Sequence, residues 1–322
     1  MAEGSAIDAP AGATGGALRR CVLEHHPVRI FWTRLDEAWR ELHGPQTHPP
    51  AVQALLGEAV TATVLLAATL KFQGTLSLQL QGTGLVRLLI AQCTHDFRVR
   101  GVAHVNDQAD QADQADQAGP GGAPGRFAAL MGTGRLTVTI EAEERAARYQ
   151  GIVALAGDSF AECLSGYFAT SEQLPTRIAL AADGAHAAGV LVQKMPAAAG
   201  QGESRGARSQ RAWEDVRRNL GALQSAMLRS ASPEQLLQRL CGPHDGRLFS
   251  ATPVRFACRC NRGRVEGLLS ALGAREVRDI LAEQGAVAVT CEFCGRPYRF
   301  DAIDVARLFS VHAGPEPPAT LN

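Results

Sequence analysis

An α+β fold followed by a helical linker and a small C-terminal zinc-binding redox module is the class this sequence predicts, and three observations predict it. Strand-like segments of alternating polarity cluster with helices inserted between them and without the regular alternation of a doubly wound parallel sheet. An apolar stripe at helical spacing lies past residue 210 on an otherwise polar segment. Four of the eight cysteines then fall in the last fifth of the chain as Cys258-Arg259-Cys260 and Cys291-Glu292-Phe293-Cys294, the ligand count and pairing of a tetrathiolate zinc site.

Residues 1–17 are rich in Ala and Gly and carry no apolar run, so a disordered extension without a secretory signal is expected there. Residues 18–195 then form the α+β domain. Val28 to Trp32 has strand character, and His48 to Leu70 reads as a helix introduced by Pro49-Pro50. Its longest apolar stretch, Ala59 to Leu70, is too short to span a bilayer, so a buried helix is expected. Leu76, Leu78 and Leu80 alternate with Ser77 and Gln79 in a half-buried strand. Gly82-Thr83-Gly84 turns that strand into a second, Leu85 to Gln92. A phosphate loop would need a helix N-terminus at that place, so the glycines read as a hairpin turn.

Gly134 to Glu141 and Tyr149 to Leu155 supply two more strands. Ser159 and Glu162 match a capping box for a helix ending near Thr170, and Ile178 to Leu180 with Val190 to Gln193 form a closing pair. Residues 107–125 interrupt the pattern with four copies of Asp-Gln-Ala and a Gly-Pro-Gly-Gly run. With nothing large to bury, this segment is expected to be a disordered insertion.

Residues 196–250 read as a flexible and helical linker. Trp213, Val216, Leu220, Leu223 and Met227 recur at spacings of three and four, and Ser232-Pro233-Glu234-Gln235 opens a second helix that Cys241-Gly242-Pro243 stops. Spacing alone leaves two readings of the stripe: a helix packed on the main core, or an amphipathic segment whose apolar side can be uncovered.

Residues 251–322 hold the cysteine module. In an extended strand Cys258 and Cys260 share one face with Phe256, while Ala286 to Thr290 reads as a strand delivering Cys291, and Gly295 supplies a permissive turn. Arg259, Arg262, Arg264, Arg296 and Arg299 are placed in sequence to offset four thiolates. A disulfide across CxC is strained and easily reduced, so the spacing fits both a permanent structural zinc ribbon and a redox site. Cys21, Cys93, Cys163 and Cys241 lack partners at metal or disulfide spacing and read as small buried side chains. No histidine sits at ligand spacing.

Composition narrows the function. With 322 residues, 46% hydrophobic content and no net charge, the chain can bury one sizeable core plus a smaller module, and it carries no whole-molecule electrostatic footprint for nucleic acid. Its cysteine usage suits a reducing, cytoplasmic setting, with no membrane partner expected.

The chain resembles the redox-regulated 33 kDa chaperonin family, the heat shock protein 33 type holdases. The resemblance rests on the CxC and CxxC pair with its thirty-residue gap, on Tyr149-Gln150-Gly151-Ile152-Val153 leading to Gly157-Asp158-Ser159, on Tyr167-Phe168 with Ser171 to Arg177, and on Cys291 to Gly295 with Tyr298-Arg299-Phe300. It implies an ATP-independent chaperone, not an enzyme, that responds to oxidative stress. Cys258, Cys260, Cys291 and Cys294 would bind one zinc ion per chain when reduced and form Cys258–Cys260 and Cys291–Cys294 disulfides when oxidised. The oxidised form would bind unfolding proteins, typically as a homodimer, and prevent their aggregation. Two other classes stay open: a thiol–disulfide oxidoreductase using Cys291 and Cys294, and a zinc-ribbon RNA-binding protein.

Overall fold

The computed structural model describes residues 16–106, 125–142, 148–196 and 203–310, which fall into two compact units, Met1–Ala257 and Cys258–Asn322. The first unit is built on two sheets. One has the order β10-β1-β2-β9-β8, formed by β1 (Gly16–Leu23), β2 (Val28–Leu35), β8 (Thr176–Ala182), β9 (Ala187–Lys194) and β10 (Gly246–Leu248), with the short β11 (Thr252–Pro253) also on β1. The other has the order β12-β5-β4-β3-β6-β7, from β3 (Gly74–Gly82), β4 (Val86–Thr94), β5 (Arg98–Val105), β6 (Gly134–Ala142), β7 (Arg148–Ala154) and β12 (Arg255–Phe256). Pairing is antiparallel except for β12 on β5.

The helix α2 (Pro50–Thr69) packs against both sheets. It follows α1 (Glu37–His43), and Pro50 stands at the first helical position, where its missing N–H costs nothing. Leu56, Val60, Val64 and Leu65 are fully buried, as a helix apolar on every side requires. Here the length argument from sequence needs correcting. The helix is 20 residues, long and apolar enough to cross a membrane by composition, and what identifies it as a core helix is that 83% of its most apolar window is buried inside the protein.

The β3–β4 hairpin turns at Gly82-Thr83-Gly84, and the glycines there permit close approach. A Cβ on Gly82 would lie 2.2 Å from the Met131 carbonyl oxygen at the end of α3 (Arg126–Met131), so the turn and that helix could not pack with larger residues. The helix α4 (Phe160–Tyr167) is capped by the Ser159 hydroxyl, which accepts from the Glu162 N–H at 3.2 Å. Its reciprocal half differs from the expected box: the Glu162 carboxylate accepts from the Asp158 N–H at 2.9 Å, one residue before the cap. A π-helical turn, Phe168–Glu172, extends the helix.

The β1-β2-β9 sheet is covered on both faces. Along β2, Phe31 and Leu35 point into the core around α2, whereas Val28, Ile30 and Trp32 join Val190 and Val192 in a second core. That second core is closed by α5 (Glu203–Gly221), α6 (Ser225–Ser230) and α7 (Pro233–Cys241). Both halves of the α7 capping box are made, with Ser232 and Gln235 exchanging side-chain to backbone hydrogen bonds of 3.2 Å.

Several expected boundaries move. Gly16 and Ala17, assigned to a disordered extension, pair with Leu35 and Arg34 in β1. The insertion expected over 107–125 lies outside the described residues up to 124, and Gly125 caps α3. Of the linker, residues 203–241 form a helical layer on the sheet, and the first unit runs to Ala257 because β11 and β12 take up edge pairings. The expected single stripe helix is two helices: α5 ends at Gly221, and Met227 stands on α6.

Candidate metal centre

The second unit comprises α8 (Arg262–Leu272), α9 (Ala274–Gln284), the hairpin of β13 (Val287–Thr290) and β14 (Pro297–Phe300), and α10 (Ala302–Ser310). Its apolar core is small, with Val265, Leu269, Val277, Val287, Tyr298, Phe300 and Val305 buried among the described residues. The cysteines come from two places. Cys291 follows β13 directly, and a knuckle closes behind it: the Cys291 N–H donates to the Arg296 carbonyl at 3.0 Å and the Gly295 N–H to the Cys291 carbonyl at 2.8 Å. Gly295 takes φ +67°, the left-handed conformation anticipated for this turn.

The other pair departs from expectation. Cys258 and Cys260 lie in irregular chain after β12, which ends at Phe256, so strand alternation does not present them. Asn261 instead fixes the path by capping α8, its side chain accepting from the Arg264 N–H at 2.9 Å.

The four sulfurs converge regardless. All lie within 4.8 Å of one another, with Cys258 Sγ 3.6 Å from Cys291 Sγ and Cys260 Sγ 3.3 Å from Cys294 Sγ. A tetrahedral site with zinc–sulfur bonds of about 2.3 Å has edges of about 3.8 Å, so the cluster fits that ion's donor set and size. The proton balance fits as well. As free thiols, Cys258 and Cys294 are raised by burial, Cys294 up to about 12, with neighbouring sulfurs adding to that rise. Burial also opposes ionisation of Cys260, yet the nearby Tyr298 hydroxyl and the other thiols draw it down to about 7. Four adjacent thiolates are mutually repulsive, and a bound cation reverses that preference.

The Tyr298 hydroxyl is buried without a conventional hydrogen-bond partner and lies beside Cys260, so a charged metal-thiolate sulfur would be its acceptor. Sequence reading missed this residue as part of the site, since its approach depends on the β13–β14 register that sets it opposite Val289. Of the five arginines, Arg296 lies close enough to Tyr298, Cys260 and Cys294 for its own pKa to rise. Arg262 is taken up elsewhere, bonded to Asp304 at 2.7 Å and stacked over the Phe300 ring.

Comparisons with known proteins place the chain in a family. The family model described as Hsp33 protein matches residues 16–301. The chain belongs to the Hsp33 family. A 33 kDa chaperonin of Nitrosococcus oceani is 38% identical over 293 residues, covering 91% of this chain and 94% of that protein. That of Azotobacter vinelandii is 40% identical over 306 residues, covering 94% and 98%. Among Hsp33 structures, the crystal structure of the Thermotoga maritima 33 kDa chaperonin superimposes with a TM-score of 0.74 at 24% identity, covering 92% of this chain and 98% of that one, and shares the fold.

The stripe residues are covered. Trp213, Val216 and Leu220 are buried at 6%, 0% and 5% exposure, and Leu223 and Met227 pack at the margin of the same core. Of the aromatic side chains near the cysteines, Tyr298 and Phe300 are buried and Phe293 is half-buried, and Cys291 directly follows a strand.

Proposed function

We propose that this Hsp33 protein is a redox-regulated chaperone without catalytic turnover, silent while one zinc ion per chain is held by Cys258, Cys260, Cys291 and Cys294. The convergence of the four thiols beside a very small core is the observation that carries the reading. When bound, the ion supplies the cross-link that stabilises the C-terminal unit, a contribution of about 10–16 kcal/mol in comparable modules. Domains of this kind are stable by only about 5–15 kcal/mol, so loss of the ligand set is enough to unfold this one.

A peroxide-class oxidant removes two electrons from each thiol pair: each pair forms one sulfur–sulfur bond and consumes one peroxide, which becomes two waters. All four sulfurs are near enough for the Cys258–Cys260 and Cys291–Cys294 pairing. A disulfide cannot serve as a two-thiolate ligand, so the site is lost with the oxidation. Trp213, Val216, Leu220, Leu223 and Met227 are then released from the β1-β2-β9 sheet and engage unfolding proteins. Isolated helices as short as α6 and α7 are marginal in water, which favours an adaptable surface once the layer comes free. The active form is a homodimer acting in the cytoplasm.

The test measures bound zinc and suppression of client aggregation on one sample, before and after peroxide under mild unfolding stress. Metal release accompanied by a gain of activity is expected, and equal activity in both states would overturn the switch.

A further inference from the structure

Cys21 and Cys241 stand at opposite ends of the first unit's sequence and share one buried place in it. Cys21 is on β1 and 2% exposed, Cys241 is the last residue of α7 and 5% exposed, and both belong to the core between the sheet and the helical layer. The Cys21 sulfur lies 3.9 Å from the Val22 carbonyl oxygen, and the two thiols are near enough for each to shift the other's ionisation. Gly246, on the β10 strand that pairs with β1, leaves the space they occupy: a methyl group there would come within 3.1 Å of the Cys21 sulfur and 2.9 Å of the Cys241 sulfur. Both sulfurs therefore face the same point, across the seam where α7 meets the sheet.

Their proximity makes the pair unequal. The neighbouring Cys241 thiol lowers the Cys21 pKa against the opposing effect of burial, and Cys21, with burial, raises that of Cys241. Ionisation is thus eased at Cys21 and opposed at Cys241, an asymmetry that thiol oxidation can use. Cys93 and Cys163 provide a contrast within the same unit. They are buried at 0% and 4% exposure, and burial raises both.

We propose that Cys21 and Cys241 are a second redox-sensitive thiol pair, which a peroxide-class oxidant joins into a disulfide stapling the end of α7 to β1. The Cys21 thiolate attacks one peroxide oxygen, the O–O bond breaks, and Cys21 becomes a sulfenic acid as hydroxide leaves and takes up a proton. The Cys241 sulfur then attacks the Cys21 sulfur, the S–S bond forms, and the sulfenic oxygen departs as water. Two thiols have lost two electrons, and one peroxide has become two waters. The bond itself is independent of the C-terminal cluster. Its consequence rests on the function proposed above: the helical layer would be released while tethered at residue 241, so it could swing from the sheet and settle back.

The experiment oxidises the full-length protein with hydrogen peroxide under mild unfolding stress, blocks remaining thiols with a maleimide in denaturant, and maps peptides without reduction. A Cys21–Cys241 cross-linked peptide is expected, leaving only Cys93 and Cys163 alkylated when the four C-terminal cysteines are also oxidised. The Cys241→Ser variant is expected to lose the cross-link and to leave Cys21 unbridged, as a thiol that maleimide alkylates or as an unresolved sulfenic acid that dimedone traps. Alkylation of both Cys21 and Cys241 in chains whose C-terminal cysteines are fully bridged would overturn the proposal, as would a bridge from either one to a different cysteine. A Cys21–Cys241 bridge with unaltered C-terminal thiols would support the staple and count against the C-terminal switch.

Discussion

The Asn219 side-chain amide donates to the Leu240 carbonyl at 3.0 Å, fastening the last turn of α5 to the last turn of α7. The carbonyls at a helix end have no partner within the helix, so this bond also completes α7. Asn219→Ala should cost the layer about 1 kcal/mol. Hydrogen exchange is expected to show faster opening of α7, with the central sheet unchanged and chaperone activity appearing at a lower dose of oxidant. Unaltered exchange in α7 would show that the bond does not hold the layer.

Val216 is fully buried in the core that α5 shares with the sheet. Val216→Asp would place a charge there without a counter-ion, a defect on the order of 3–5 kcal/mol. The variant should therefore suppress client aggregation with its thiols reduced and its zinc retained. A reduced variant as silent as the parent would separate the stripe from client binding.

Glu58 on α2 lines a cavity of about 840 Å³ that is also bordered by Arg126, Phe160 and Leu220. Burial pushes its carboxyl up to about 7, with Arg126 pulling in the opposite direction. A folded pKa above the ordinary 4.5 means that the folded state gains stability as pH falls from 7 toward 4.5 and loses it as pH rises through 7. Glu58→Gln should remove this dependence and stabilise the protein near pH 8 by at most about 3 kcal/mol. Urea midpoints at pH 5.5 and 8 check it, and parallel pH slopes in the two proteins would contradict it.

Phe300 is 1% exposed in the core of the second unit, with Arg262 over its ring. Phe300→Ala should cost about 3–5 kcal/mol, a large share of what so small a core supplies. Zinc is expected to leave this variant at a lower chelator concentration than the parent. In the parent itself, chelation with reductant present should abolish exchange protection in α8–α10 and leave that of β3–β6 intact.

What the sequence revealed and what it hid divide along physical lines. Regular polarity in β3, the proline at the start of α2 and the Ser232–Gln235 cap are local signals, and each element stands where those signals place it. The strand β5 and the helices α1 and α3 escaped because their short segments carry no strong period. The placement of Cys258 and Cys260 was misread because their geometry is fixed by the Asn261 cap and by the ligand set, and not by strand alternation. The approach of Cys21 to Cys241 had no local signature at all, since only the packing of α7 on β1 creates it.

The two-sided covering of the β1-β2-β9 sheet has a geometric corollary. Whatever apolar area α5 and α6 give up on leaving, the strands beneath give up too, so Ile30, Trp32, Val190 and Val192 would be bared together with the stripe. Opening would thus create a pair of matched jaws, one a flat, rigid pleat and the other a pliable helical strip. A misfolding chain caught between them would meet backbone-ordered and conformationally loose surfaces at once, which suits substrates that have no single shape to recognise.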